Sequence, residues 1–453
     1  MRRPALWLPA LSLLVLAAGA ARAADRLETM EQNGPSDNRI DLVITGDGYT
    51  AAQADDFRQD TERLLDGLFG APPWSAYRGM FNLYRVVTES AESGADHPSQ
   101  GIQVDTYFDS QFDYFGMARL THADEGKILS VVSDLVPEVD QIILLINDPA
   151  YGGSGGSVAM ASVDPDAVYI VLHELGHSFA DLADEYTEAY PGYPAGDPEP
   201  NVDVDATFAD IKWNAWIESG TPLPTLLSDA TDAYHPVGAY EGARYLTTGI
   251  YRPAPHCIME QLIYRYCDVC QEAITLAFYR WVDPVDQSTP ITPQVKVDRG
   301  GTLPVRFQLD VVQVTDPAAI SVRWRLDDRE VGAGTELAFD PNVLGVDNGV
   351  YTLTAQVRDD TPWVRHDPDG LRESERSWTV TVDGVEVDGV EVDAALAMTD
   401  GGSVGDGGTA PPPGDGGCGC SSTGIPLGAL LPCLLLFGGW LSRRGGRIRR
   451  SAS

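Results

Sequence analysis

His173-Glu174-Leu175-Gly176-His177 lies within a stretch whose apolar residues Val168, Leu172, Leu175, Phe179 and Leu182 recur at spacings of three and four. That period belongs to a helix with one face buried against a core. Residues four apart on a helix point the same way, so His173 and His177 present two imidazoles side by side. The pattern is H-E-x-x-H, whose two histidines bind one zinc ion. Glu174, between them, is placed to take a proton from water at the metal, whose pKa zinc lowers from about 15.7 to roughly 7. The reading makes His173 and His177 metal ligands and Glu174 the general base for hydrolysis of an amide bond.

A hydrolytic zinc wants three protein ligands and one open position. Downstream lies Asp181-Leu182-Ala183-Asp184-Glu185-Tyr186. On a straight helix Asp184 would sit about 10 Å along the axis from His177, at roughly 1.5 Å per residue. Zinc–ligand bonds are only about 2 Å. The helix is therefore expected to end near Ala180 and the chain to fold back. Asp184 is the favoured third ligand, with Glu185 second, Asp181 third and the distant Glu241 still open.

Upstream, Asp140 to Asn147 reads as a buried strand, and Tyr151 to Gly156 (YGGSGG) as a glycine-rich loop. No Gly-Lys-Ser/Thr follows, so the loop is not a phosphate cradle. It is either a flexible turn or a rim where substrate backbone approaches closely. Downstream stand His256-Cys257-Ile258-Met259-Glu260 and Cys267-Asp268-Val269-Cys270. In an exported chain one disulfide among the three cysteines is favoured. The alternative is a second, structural zinc held by His256, Cys257, Cys267 and Cys270.

From about Asn38 to Arg280 the chain resembles the IgA-protease-type zinc metallopeptidases, a metzincin-like family. The segments that carry the resemblance are Asn38 to Val43, Gly46 to Thr50, Ser90 to Gly94, the Tyr151 to Gly156 loop, the histidine helix through Tyr186, and Tyr251-Arg252-Pro253 before Cys257 and Met259. The resemblance implies zinc at His173 and His177, Glu174 as general base, and Met259 in a methionine turn beneath the metal. In metzincins a glycine makes the bend after the helix, and the third ligand falls ten residues after the first histidine. Those positions are Ala180 and Ala183 here, so Asp184 falls one residue late. The immunoglobulin substrate behind the family's name does not carry over on motifs, because chemistry transfers better than specificity.

The chain has 453 residues, a net charge of −36 and 43% hydrophobic residues, enough for two or three domains with real cores. Such an acidic balance argues against nucleic-acid partners, which want a basic face. Asp203 and Asp205 lie in an acidic loop that is not an EF-hand and reads as solvated. Met1-Arg2-Arg3, an apolar run from Ala5 to Ala20 and Ala21-Arg22-Ala23 form a signal peptide over 1–23. Residues 384–417 are Gly-, Asp- and Pro-rich and read as a disordered linker. Segment 418–453 joins Cys418 and Cys420 to an apolar run, Ile425 to Leu441, and five arginines. It resembles the C-terminal sorting signals of myxobacterial-type exported proteins; a plain membrane anchor is the alternative. Either implies export, to the cell surface, associated with the outer membrane, or beyond.

The expected fold is an α/β (α+β) metzincin-like zinc peptidase domain over 24–283, then an all-β immunoglobulin-like sandwich over 294–383. Strands are predicted at Asp41 to Thr45, Phe81 to Val87 and Asp140 to Asn147, with helices at Ala51 to Phe69 and Lys127 to Leu135. A last helix, Cys270 to Val282, closes the domain. The sandwich strands are Val305 to Leu309, Ile320 to Leu326, Val350 to Val357 and Ser377 to Val382, with Trp324 as the core tryptophan. The favoured function is a secreted or surface-attached zinc endopeptidase acting on protein or peptide, with Tyr186, Tyr264 or Tyr266 stabilising the oxyanion. A binding protein on an inactive peptidase fold and a zinc amidase acting on cell-wall peptides are the alternatives.

Overall fold

The computed structural model describes residues 25–188 and 199–382. The expected signal peptide, the linker from 384 and the C-terminal segment from 418 lie outside the described residues. Among those described, no helix is long and apolar enough to cross a membrane.

The first part runs through β1 (Arg26–Glu31), β2 (Ile40–Asp47), α1 (Ala54–Leu68), β3 (Phe81–Val87), α2 (Glu125–Leu135), β4 (Gln141–Ile146), β5 (Gly153–Ser154), β6 (Ala159–Ser162) and α3 (Ala167–Ala180). Its six strands form one sheet ordered β1-β3-β2-β4-β6-β5. The four central strands are parallel; β1 and β5 add antiparallel edges. β2 and β3 are buried along their whole length, as strands of a parallel sheet covered on both faces should be. Ile40, Leu42 and Ile44 face a core shared with Phe57 and Leu64 of α1 and with Leu172, Leu175 and Phe179 of α3. Val43, Val86 and Leu144 face Ile128 and Val132 of α2 on the other side. The three-and-four spacing of the histidine helix is thus its contact with the sheet and α1.

After α3 the described residues are largely irregular up to a hairpin of β7 (Tyr240–Ala243) and β8 (Leu246–Arg252), then α4 (Asp268–Trp281). α4 packs against α3. Trp74 wedges between them, its ring 5.5 Å from Phe179 and 5.2 Å from Phe278.

The remaining strands are β9 (Val285–Thr289), β10 (Gln294–Val297), β11 (Val305–Val311), β12 (Ile320–Leu326), β13 (Arg329–Ala333), β14 (Glu336–Phe339), β15 (Gly349–Asp359) and β16 (Glu373–Val382). They make a five-stranded sheet, β10-β16-β15-β12-β13, and a three-stranded sheet, β14-β11-β9. One core serves both. Trp324 is fully buried there, with its ring 5.7 Å from Trp378, and Phe307 stands 5.2 Å from Trp378. β9 arises within Asp283 to Pro293, which the sequence marks only as a change of composition.

The two parts are fastened by buried polar contacts. Asp359, at the end of β15, accepts from the hydroxyls of Tyr77 (2.6 Å) and Tyr279 (2.9 Å), and from the backbone N–H groups of Ala319 (3.1 Å) and Thr361 (3.0 Å). Arg39 donates to both carboxylate oxygens of Asp286, at 2.6 and 2.8 Å. Val312, Ala318 and Trp363 join the apolar core of the first part. Asp359→Ala would leave two tyrosine hydroxyls and two amides without their acceptor, which is expected to cost about 3 kcal/mol. Urea unfolding followed by tryptophan fluorescence and by circular dichroism should show both parts melting together at a lower midpoint. Two separated transitions in the wild type would show that the contacts do not couple the parts.

Candidate metal centre

α3 ends at Ala180, as the reach argument requires, and the turn is made by Asp181 in the left-handed region at φ 55°. Leu182 then bonds back to the helix, its N–H donating to the Gly176 carbonyl at 3.0 Å. The Leu182 carbonyl in turn accepts from His177 Nδ1 at 2.6 Å. His173 Nδ1 donates to the Ile258 carbonyl at 3.0 Å. Carbonyl oxygens only accept, so both Nδ1 atoms carry their hydrogen. In the neutral form of either ring, Nε2 is therefore the nitrogen that holds the lone pair.

Those two Nε2 atoms lie 3.1 Å apart. Asp184 Oδ1 stands 3.1 Å from one and 3.2 Å from the other. His173 and Asp184 are buried, and Asp184 Oδ1 has no hydrogen-bond donor. With both rings neutral, three acceptors converge in a buried space, an arrangement that repels itself without a positive charge at its centre. A tetrahedral zinc with bonds of about 2.0–2.1 Å spaces its ligand atoms about 3.3 Å apart, close to the triangle seen. The donor set of two imidazoles and one carboxylate is of the type that hydrolytic zinc sites use. The residues fit a metal.

The electrostatics agree. Burial alone would hold His177 neutral, but the Asp184 carboxylate in contact with it more than offsets this and pushes the ring up to about 9. Burial likewise opposes ionisation of Asp184, and the two histidines overcome it, holding the carboxyl below the usual carboxylate range. The site collects positive charge.

Asp184 is positioned by parts that the sequence did not single out. Its Oδ2 accepts from the Tyr245 hydroxyl at 2.6 Å. Tyr245 and Arg244 form the two-residue turn between β7 and β8, at φ 61° and 54°. Neither is glycine, so each is held in a costly left-handed conformation. The turn docks on the segment Asp184 to Tyr186, with Arg244 N–H donating to the Asp184 carbonyl (2.9 Å) and Tyr245 N–H to that of Tyr186 (2.8 Å). Asn201 clamps the other side: its Oδ1 accepts from Ala183 N–H (2.7 Å) and its Nδ2 donates to the Ala183 carbonyl (3.0 Å). Beneath the helix lies Met259, fully buried. A Cβ on Gly176 would come 2.8 Å from its sulfur, which explains glycine within the histidine motif.

Glu174 sits at the edge of this centre, half-buried. A Cβ on Gly155 would overlap its carboxylate, so the glycine-rich loop approaches the glutamate directly. Tyr186 is also adjacent, its ring 5.9 Å from that of His173. Burial, reinforced by the charge of Asp184, raises its hydroxyl above the ordinary tyrosine value, so it keeps its proton.

A sequence model of the IgA peptidase M64 family matches residues 29–233 and 225–278, more than half of the chain. The chain belongs to this family. It is a family of metallopeptidases, and the match takes in α3, Asp184, Met259 and most of α4 while ending before β9. No curated protein matches the chain.

Other candidates of the family's centre lie elsewhere. Glu185 is buried and turned away from the histidines, toward Cys270. Asp181 caps the helix, exposed, 3.7 Å from Arg280. Glu241 is exposed and accepts from Gly249 N–H at 3.0 Å. Tyr266 is buried and bonded to the Leu172 carbonyl, and Tyr264 stacks on His256 at 4.6 Å. Asp203 accepts from the backbone of Asp205 and Lys212 at 3.1 and 3.0 Å, a structural turn. The favoured disulfide does not appear: Cys257, Cys267 and Cys270 are all free thiols. His256 does not join them; its Nδ1 meets Glu260 at 2.9 Å.

Tyr245→Phe removes the donor on Asp184 Oδ2 and leaves the ring. Zinc affinity is expected to fall by about tenfold to a hundredfold, as for other outer partners of metal ligands. Competition against a chromogenic chelator measures it; unchanged affinity would mean that Asp184 is not held through Tyr245.

Proposed function

We propose that this member of the M64 family is an exported, zinc-dependent endopeptidase, with His173, His177 and Asp184 holding the metal and Glu174 as general base. The convergence of His173 Nε2, His177 Nε2 and Asp184 Oδ1 within 3.2 Å carries this reading. The catalytic domain is read as metzincin-like and the β part as an immunoglobulin-like sandwich. The bend at Asp181 and the ligand Asp184 each fall one residue after the metzincin positions Ala180 and Ala183, so the spacing between them is kept. Met259 under α3 supports the same reading. The signal-type N-terminus and the apolar, arginine-ended C-terminus support export and attachment at the cell surface. The charge of −36 leaves protein or peptide, not nucleic acid, as the partner.

When bound, zinc supplies Lewis acidity, polarising the scissile carbonyl and lowering the pKa of water to roughly 7. Glu174 takes a proton from the attacking water and returns it to the leaving amine. Gly155 lets the loop lie against that carboxylate. Tyr186, which stays protonated beside His173, would donate to the developing oxyanion.

Two variants test the assignment. Glu174→Gln should keep its zinc and lose about 10²–10⁴-fold in kcat on a quenched fluorescent peptide library. Gly155→Ala should displace the Glu174 carboxylate and lower kcat about tenfold to a hundredfold with KM little changed. Full activity in Glu174→Gln, or a zinc-loaded wild type that cleaves neither casein nor the library, would contradict the proposal.

A further inference from the structure

A second group of metal-type donors lies behind the first. The Sγ atoms of Cys257, Cys267 and Cys270 and a carboxylate oxygen of Glu185 all fall within 4.8 Å of one another. None of the four residues is more than 1% exposed. Cys257 Sγ lies 3.6 Å from Cys270 Sγ, which lies 3.7 Å from Glu185 Oε1. Zinc–sulfur bonds of about 2.3 Å in a tetrahedron put sulfurs about 3.8 Å apart, whereas a disulfide needs about 2.05 Å. Three cysteines also cannot all pair with one another.

The carboxylate points the same way. Asn201 Nδ2 donates to Glu185 Oε1 at 2.9 Å, while Oε2 is buried without any donor. A buried acid held among three thiols, with one oxygen that nothing bonds, is a donor set that a cation would complete. Cys267 caps the N-terminus of α4 and Cys270 lies in its first turn, where the helix end favours negative sulfur. Cys267 N–H donates to Cys257 Sγ at 3.3 Å. Arg252 is buried as well and donates to the carbonyls of Gly242 and Pro255.

We propose that Cys257, Cys267, Cys270 and Glu185 bind a second divalent metal, a thiophilic ion such as zinc, in a closed structural site. Three thiolates and one carboxylate complete four-coordination and leave no open position for a substrate. The site joins the two segments that orient the first centre. Glu185 follows Asp184 directly, and its N–H donates to the Met259 carbonyl at 2.8 Å. Cys257 precedes Ile258, whose carbonyl holds His173 Nδ1. A metal here pins the third-ligand segment to the methionine turn. The inference does not depend on the catalytic reading of the first site.

The test uses the full-length chain carrying Cys418→Ser, Cys420→Ser and Cys433→Ser, so that only the three buried cysteines remain. Metal content by mass spectrometry should give two zinc ions per chain. Adding His173→Ala and His177→Ala should leave one, and its cobalt-substituted form should show thiolate-to-cobalt charge-transfer absorption in the near ultraviolet. Cys267→Ser with Cys270→Ser should remove that absorption; if this variant fails to fold, the histidine variant still decides. No metal in the histidine variant, or cobalt bound without the charge-transfer band, would overturn the proposal. So would a non-reducing tryptic digest in which Cys257 is disulfide-linked to the peptide that begins after Arg265.

Discussion

Two imidazole nitrogens and one carboxylate oxygen face one another at 3.1–3.2 Å in a buried space. Such a group draws positive charge to itself, as a metal ion or as a proton on His177, and the surrounding structure is arranged to keep it together. The sheet and α1 bury one side of α3 and fix the histidine helix. The carbonyls of Leu182 and Ile258 fix the tautomers of both rings. Gly176 and Met259 bring the segment after residue 256 directly beneath the helix. The strained Arg244-Tyr245 turn and Asn201 hold the Asp184 segment from two sides. Each of these contacts spends local stability on placing an acceptor next to other acceptors.

The helix and two of its three acceptors were legible because they share one short periodic segment. Asp184 was legible for a different reason, a length argument: a straight helix would carry it too far, so the chain had to turn. Which residue turns was not legible, because Asp181 adopts a conformation usually given to glycine, and only the tertiary contacts pay for it. Tyr245 and Asn201 were missed because their partners lie 61 and 18 residues away in sequence, with no local pattern to signal them. β5 and β6 were missed because small residues and glycine carry little strand propensity. The cysteines were read by compartment, which favoured a disulfide. Their odd number and the acid next to Asp184 were the available signals that a carboxylate joins the thiols instead.

The β part is integrated with the catalytic part rather than appended to it. Asp359 takes hydroxyl donors from Tyr77, in the segment before β3, and Tyr279, on α4. Glu272 of α4 accepts from the backbone of Arg365 and His366 at 2.6 and 3.1 Å. α4 is the same helix whose N-terminus carries Cys267 and Cys270 and whose side packs against α3. The β part therefore braces the helix on which the histidine helix rests. A continuous set of packed elements runs from the second core to the acceptor triangle.

The most direct measurement is an anomalous difference map from crystals of the protein, recorded on either side of the zinc absorption edge. The account predicts a peak about 2.0–2.2 Å from His173 Nε2, His177 Nε2 and Asp184 Oδ1 together. Strong phases from the ordered sheet should make that position unambiguous. No peak there in crystals grown with zinc present, or a peak ligated by the histidines while Asp184 is turned away and another acid takes its place, would contradict it.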